Sequence, residues 1–218
     1  MLGIEAAVPV DDQPIGGHSA ATMLGDSRYL TSWFNPDNLG IQEKYKQLTA
    51  GLQDSESRIV ACWRYVKNIP YSEFVSVKVA IDHMVFQQKD AWLDASQAMY
   101  VSHLNCMNKS ILLANLLRQE LRPDQVYICL NNVTTDGIGG HAVCYLSLDK
   151  AYVAETTNPH VKTPFMAADE LEIYQPVLFF NDSEVQRVVG IALREPFGLC
   201  CVDWLADYID PKYCTEWV

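Results

Sequence analysis

In the middle of the 218-residue chain, one strongly apolar segment with helical periodicity comes directly before three segments in which apolar and polar residues alternate. The helical pattern covers residues 107–119 and ends before Pro123. Alternation of apolar and polar residues then predicts strands over residues 126–133, 141–148 and 151–156. The connections of seven and two residues are too short for the crossover that a parallel pair needs. This order therefore predicts an α+β fold in which a helix packs on an antiparallel sheet.

Weaker patterns on both sides complete the predicted elements. Asp54 or Ser55 is placed to cap a helix that Pro70 ends. Further helices are expected at 41–52 and 167–174, further strands at 177–180 and 185–193, and either a strand or a helix at 72–86. Residues 1–40 form an irregular arm packed on the core. Residues 41–218 form one domain with an aromatic C-terminal extension.

Composition excludes several classes of protein. The net charge of -11 lacks the basic footprint that binding to a nucleic-acid backbone needs. No apolar run approaches the ~18 residues of a membrane span, and the N-terminus does not resemble a signal peptide. The seven cysteines form no Cys-x-x-Cys pair, so reduced thiols in a cytoplasmic protein are expected. We therefore expect no nucleic-acid or membrane partner; the oligomeric state stays open.

Cys106 stands at the start of the predicted central helix. A thiol at a helix N-terminus lies at the positive end of the helix dipole, which favours the thiolate, and Lys109 one turn further adds positive charge. The free N–H groups of that first turn also suit a developing oxyanion. A free cysteine is equally common as a small buried hydrophobe, so this residue alone does not decide between the two roles.

His141 and Glu155 lie on neighbouring predicted strands, 14 residues apart. Alternation allows both side chains to point to one face of the sheet, although their unequal distances from the turn at Asp149 require a bulge or an offset between the strands. Taken singly, a histidine at a strand start and a surface glutamate are ordinary structural residues. With Cys106 they supply a nucleophile, a base and an orienting acid.

These elements resemble the transglutaminase-like superfamily of papain-like cysteine enzymes. The resemblance is carried by 105–118 with Cys106 and Arg118, by 141–145 and 151–157, and by the upstream segment 65–71. It implies a papain-like core whose central helix carries the cysteine. It also implies that Cys106 attacks an amide carbonyl, that His141 moves the proton, and that Glu155, where the family usually has Asp, orients the imidazole.

The resemblance implies thiol-dependent acyl chemistry through a thioester, with no cofactor and no metal. The substrate would be a peptide or protein amide. Small relatives without accessory domains favour a protease or amidase over a transglutaminase. Asn105 and Trp92 are the candidates for the second oxyanion donor.

Alternative interpretations remain at this stage. A catalytically inactive binding or structural module on the same fold would show a buried Cys106 or a His141 ring turned away from it. If Glu155 does not orient the His141 imidazole, Asp136 or Asp149 would take that role. Zinc held by cysteines with His83, His103 or His141 lacks the usual ligand spacing. The glycine-rich segment 137–140 joins strand to strand, whereas phosphate loops join strand to helix.

Overall fold

The structure is a computed structural model that describes residues 30–72, 77–81, 84–88, 92–133, 139–168 and 174–187. Its helices are α1 (Leu39–Thr49), α2 (Ser55–Asn68), the short α3 (Ala95–Ala98) and α4 (Cys106–Leu117), followed by a 3-10 turn, Pro123–Gln125. Its strands are β1 (Val77–Ile81), β2 (Met84–Gln88), β3 (Val126–Val133), β4 (Gly139–Ser147), β5 (Ala151–Ala154), β6 (Met166–Ala167), β7 (Tyr174–Phe180) and β8 (Val185–Arg187). No helix among the described residues has the length and apolar character needed to cross a membrane.

Side-chain caps explain where the helices begin. Asn38 accepts hydrogen bonds from the first amides of α1, and Asp54 accepts one from the amide of Ser57 in α2. Asn105 caps α4 in the same way, with its Oδ1 2.9 Å from the amide of Asn108. The central helix therefore starts at Cys106, one residue before the predicted bound of 107.

Six strands form one antiparallel sheet in the order β6-β5-β4-β3-β7-β8. The ambiguous region at 72–86 holds β1 and the first residues of β2, and these two strands pair with each other in a separate two-stranded sheet. The strands predicted at 126–133, 141–148 and 151–156 correspond to β3, β4 and β5 and neighbour one another.

The helix α4 lies at the centre of the core, and all twelve of its residues are buried. It packs on the sheet face that carries Ala142, Cys144 and Leu146, with the Cys144 thiol 3.3 Å from the carbonyl of Ser110. The opposite sheet face has its own smaller cluster, centred on Cys129, Val143 and Val153. Both faces of the sheet are thus covered, and α4 lies between the sheet and the other helices.

The helix predicted at 167–174 is wrong at both ends. Ala167 belongs to β6 and pairs with Tyr152, and Tyr174 begins β7 and pairs with Val133. Local composition favours a helix there, but the two ends are held by pairing with distant strands, which local propensity does not record. Residues 169–173 lie outside the described residues.

Only part of the expected arm and extension is described. Leu30 and Phe34 are buried in the main core, and the Asn115 side chain on α4 bonds the Trp33 carbonyl (2.9 Å) and the Asn35 amide (2.6 Å). This stretch therefore packs directly on the central helix. Residues 1–29, the end of the strand predicted at 185–193 and the whole aromatic extension lie outside the described residues.

Candidate active site

Cys106 is the first residue of α4 and is fully buried. The segment before it is anchored by a parallel bridge between Tyr71 and Leu104, in which the Leu104 amide donates to the Pro70 carbonyl (3.0 Å) and its carbonyl accepts from the Ser72 amide (3.1 Å). The thiol is therefore fixed by the helix on one side and by the chain that follows α2 on the other.

The imidazole of His141 lies between the thiol and a carboxylate. Its Nε2 atom is 2.7 Å from Glu155 Oε2 and 3.2 Å from Thr157 Oγ1. Its side chain also shares a hydrogen bond with the Cys106 thiol and keeps 13% of its surface exposed. Since Glu155 and Thr157 hold the Nε2 edge, Nδ1 is the ring nitrogen left to exchange a proton with sulfur. The three residues singled out in the sequence therefore lie together.

The register of β4 and β5 explains why His141 and Glu155 meet. Cys144 pairs with Ala154, so continuing the ladder by one position sets Glu155 opposite Val143. Glu155 is thus a diagonal neighbour of His141 on the same face, a separation of ~7–8 Å between backbones that a long side chain spans. The expected offset is this diagonal, and no bulge between β4 and β5 is needed.

The Glu155 carboxylate is fully buried and accepts five hydrogen bonds. Oε1 accepts from the Thr157 amide, the Thr157 hydroxyl (2.7 Å) and the Asn158 amide (3.1 Å). Oε2 accepts from His141 Nε2 and from the Tyr174 hydroxyl, both at 2.7 Å. The Tyr174 ring also stacks on the imidazole, with centroids 5.4 Å apart. Sequence reasoning missed Tyr174 because its segment was assigned to a helix, which hid its place on a strand beside β3.

Three side chains from the helices hold the carbonyls of the Glu155 loop. Trp63 Nε1 donates to the Glu155 carbonyl (2.7 Å), Lys109 Nζ to that of Thr156 (3.3 Å), and Lys67 Nζ to that of Asn158 (2.7 Å). Lys109 also donates to the Lys67 carbonyl (3.2 Å). The backbone amides of this loop thus donate to the Glu155 carboxylate, whereas its backbone carbonyls accept hydrogen bonds from side chains of α2 and α4.

The electrostatics of the pair follow from these contacts. Burial lowers the pKa of His141, but the charge of Glu155 and hydrogen bonds with Cys106 and Glu155 outweigh it and raise that pKa to about 10. Burial raises the pKa of Glu155, yet the His141 charge and the hydrogen bonds from His141, Tyr174 and Thr157 bring it well below its ordinary value. The pair is therefore an imidazolium and a carboxylate at neutral pH.

The Lys109 side chain is held by the backbone on both sides of the site. Its ammonium bonds two backbone carbonyls, and it is almost fully buried. Burial and the charge of Lys67 lower its pKa from 10.5 to about 8, although the charge of Glu155 acts in the opposite direction. Lys109 therefore joins the Cys106 helix to the Glu155 loop.

The other described thiols lack such partners. Burial raises the pKa of Cys62 to about 12 and raises those of Cys129 and Cys144 above their ordinary values. Among the four cysteines that the structure describes, Cys106 is the one whose thiol contacts an imidazole. Cys200, Cys201 and Cys214 lie outside the described residues.

The alternative sites are placed elsewhere or fall outside the described residues. Asp149 accepts from the Tyr152 hydroxyl (3.0 Å) at the far end of the β4–β5 hairpin, and Asp136 is not described. Asn105 Oδ1 accepts the cap hydrogen bond directly before Cys106, and the Trp92 ring is buried against that of Trp33; their N–H groups stay predictions for the second oxyanion donor. Gly139 and Gly140 begin a strand that pairs with β3.

No group of three or more His, Cys, Asp or Glu that could hold a metal ion lies among the described residues. The ring of His103 lies 2.9 Å from the Ser102 hydroxyl, and His83 is not described.

No protein-family model and no curated protein matches this sequence. Solved structures of LapG from Legionella pneumophila match the fold. One has a TM-score of 0.52 at 12% identity, covering 78% of this chain and 88% of that chain. The calcium-bound form has a TM-score of 0.51 at 13% sequence identity, covering 86% of this chain and 96% of that chain. The EGTA-treated form has a TM-score of 0.52 at 12% sequence identity, covering 78% of this chain and 86% of that chain. The predicted α+β fold class, with a cysteine-bearing central helix packed on an antiparallel sheet, is thereby confirmed.

Proposed function

We propose that this protein is a thiol-dependent enzyme of the transglutaminase-like superfamily that performs acyl transfer on amides. In this proposal Cys106 is the nucleophile, His141 the proton carrier and Glu155 the residue that orients the imidazole. The observation that carries the proposal is the continuous chain of hydrogen bonds from the Cys106 thiol through His141 to Glu155. Catalytic nucleophiles need a base within hydrogen-bond reach that a third group holds in place.

The proposed steps use the geometry of the site directly. In the proposed resting pair His141 holds the proton of Cys106, and the Cys106 thiolate attacks the amide carbonyl, so that a tetrahedral oxyanion forms at the positive N-terminal end of α4. His141 then protonates the leaving amine, and an acyl thioester remains on Cys106. Water attacks the thioester with His141 as base, the carboxylic acid is released, and the thiolate and imidazolium are restored. Glu155 stabilises that imidazolium.

The acceptor and the substrate are further parts of the proposal. Water as acceptor, favoured here, makes the protein a protease or amidase, and an amine would make it a transglutaminase. The substrate would be a peptide or protein amide, and the free thiols of the described cysteines agree with a reducing, cytoplasmic compartment. Residues 1–40 as an arm and 41–218 as the catalytic domain complete the proposed organisation.

One observation favours a second candidate function, a non-catalytic binding module. Cys106 has no exposed surface, and a substrate carbonyl must reach its sulfur. Against this candidate, the imidazole faces the thiol and keeps an exposed edge. The two candidates differ in one measurable property, the reactivity of Cys106 in the folded protein.

The test is alkylation with limiting iodoacetamide at pH ~6, where ordinary thiols of pKa ~8.5 are mostly protonated. Peptide mapping should find Cys106 labelled first, and His141→Ala should slow that labelling because it removes the charge partner. His103→Ala, whose ring bonds Ser102, is the matched control. Labelling of another cysteine first, or of Cys106 only after denaturation, would refute the enzyme and support the binding module.

A further inference from the structure

We propose that Tyr174 is a positioning residue of this site. It fixes the plane of the His141 ring and weakens the electrostatic attraction between the Glu155 carboxylate and the imidazolium. The inference rests on the proposed function of Cys106 and His141. Two contacts carry it. The Tyr174 ring stacks on the imidazole at an interplanar angle of 23°, and its hydroxyl is 2.7 Å from the carboxylate oxygen that accepts from His141.

A bulge in β7 is the reason that Tyr174 faces the imidazole. Leu130 pairs with Leu178, but the next residue, Asn131, pairs with Pro176, so β7 carries one extra residue, Val177. Because side chains alternate along a strand, this extra residue moves Tyr174 to the other face. Without it Tyr174 would point away from the face that His141 shares with Asn131.

The sequence around the bulge fits this interpretation. Pro176 has no N–H for a ladder, and proline inside a sheet is confined to edges and bulges. Here it lies directly beside the bulge, and β8 pairs with β7 only from Leu178 to Phe180. Bulges next to active sites commonly redirect one side chain, and the side chain redirected here is Tyr174.

The shared oxygen gives Tyr174 an electrostatic effect on His141. Burial and the charge of Glu155 raise the pKa of Tyr174 well above its ordinary value, so the phenol donates at every working pH. A second donor on Oε2 spreads the carboxylate charge and leaves less for the imidazolium. Tyr174 therefore keeps the His141 proton available for the leaving amine.

Among the described residues, other charged or polar groups also lie around the pair. Cys106 faces the imidazole from α4, Lys109 on α4 and Lys67 on α2 lie on the carbonyl side of the Glu155 loop, and the Asn158 side chain also bonds Tyr174. Replacing Tyr174 with Phe leaves all of them in place, so a change in the titration of His141 would report the lost hydroxyl.

The experiment follows the His141 imidazole by NMR titration from pH 6 to 11 in the wild type, Tyr174→Phe and Tyr127→Phe. Tyr127 is the matched control, because its hydroxyl donates to Glu184 at 2.7 Å on the same sheet, away from the site. We expect Tyr174→Phe to raise the His141 midpoint by roughly half to one unit and Tyr127→Phe to leave it unchanged. An unchanged or lowered midpoint in Tyr174→Phe overturns the electrostatic part of the proposal.

A second variant tests the stacking. Tyr174→Leu removes the ring, and we expect about two- to tenfold slower iodoacetamide labelling of Cys106 at pH 7. Wild-type speed in Tyr174→Leu overturns the positioning role. These results are separable from the proposed function: if wild-type Cys106 is not labelled first, the enzyme hypothesis fails whatever the variants do, whereas if it is, only the role of Tyr174 is at stake.

Discussion

Replacing Glu155 with Gln tests whether the carboxylate decides which ring nitrogen of His141 carries hydrogen. Three donors converge on Oε1, and two of them, the amides of Thr157 and Asn158, are backbone groups that cannot reverse. The oxygen of the new amide must therefore stay on that side, and its NH2 group must face His141 Nε2 and Tyr174. Because two donors cannot face each other, Nε2 must lose its hydrogen and the proton must move to Nδ1.

This change removes the base from the thiol. With hydrogen on Nδ1, the ring nitrogen nearest to Cys106 has no lone pair to take the thiol proton. The pKa of His141 should fall from about 10 toward its ordinary 6.5, since burial then acts without the charge of Glu155. That is 3.5 units, or at most about 5 kcal/mol of imidazolium stabilisation. We expect amide turnover to fall by about 10³–10⁴-fold, as when the triad Asp of a serine protease becomes Asn.

The assay is the rate of Cys106 alkylation as a function of pH, with ¹⁵N NMR to identify the tautomer of His141. In the wild type the midpoint of this pH dependence, the apparent pKa of Cys106, should lie well below the ~8.5 of a free thiol. In Glu155→Gln it should move up toward that value. Glu184→Gln, which changes the acceptor of Tyr127, is the matched control. A midpoint in Glu155→Gln equal to that of the wild type, with Nε2 still protonated, would refute the reasoning.

Two further predictions concern the groups around the Glu155 loop. Lys109 has a lower pKa folded than unfolded, about 8 against 10.5, so between these values the unfolded chain holds the extra proton and the free energy of unfolding rises with pH. Urea titrations should show the wild type gaining up to about 3 kcal/mol over Lys109→Met between pH 7 and 11; a constant difference would contradict this. Glu155→Asp should lower amide turnover about 10²-fold, because the shorter side chain does not span the diagonal to His141, and full activity of this variant on a peptide amide library would show that reach is not limiting.

Much of the core was predictable because its signals are local. The apolar periodicity of α4 and the alternation of β3 to β5 record burial of one helix and of the two faces of a sheet, and Cys106 follows a capping Asn. The juxtaposition of His141 and Glu155 followed from chain order and alternation, although only the observed register shows that they meet on a diagonal.

The rest of the site depends on contacts between residues far apart in the chain. Trp63 bonds a carbonyl 92 residues away, and Lys67 one 91 residues away. Tyr174 reaches its face only through a bulge in pairing with β3. No pattern within a short window of sequence records such pairings, so a helix was predicted where Tyr174 begins a strand.

The hairpin turn between β4 and β5 limits how this chain can vary in length. Ser147 pairs with Ala151, and the Leu148 amide closes on the Lys150 carbonyl at 2.9 Å. The turn lies six residues from His141, about 20 Å along the strand. A one-residue insertion or deletion that shifts the pairing by one would nevertheless send Glu155 to the opposite face. Homologous chains that keep this site should therefore tolerate substitutions at the turn but not gaps in it.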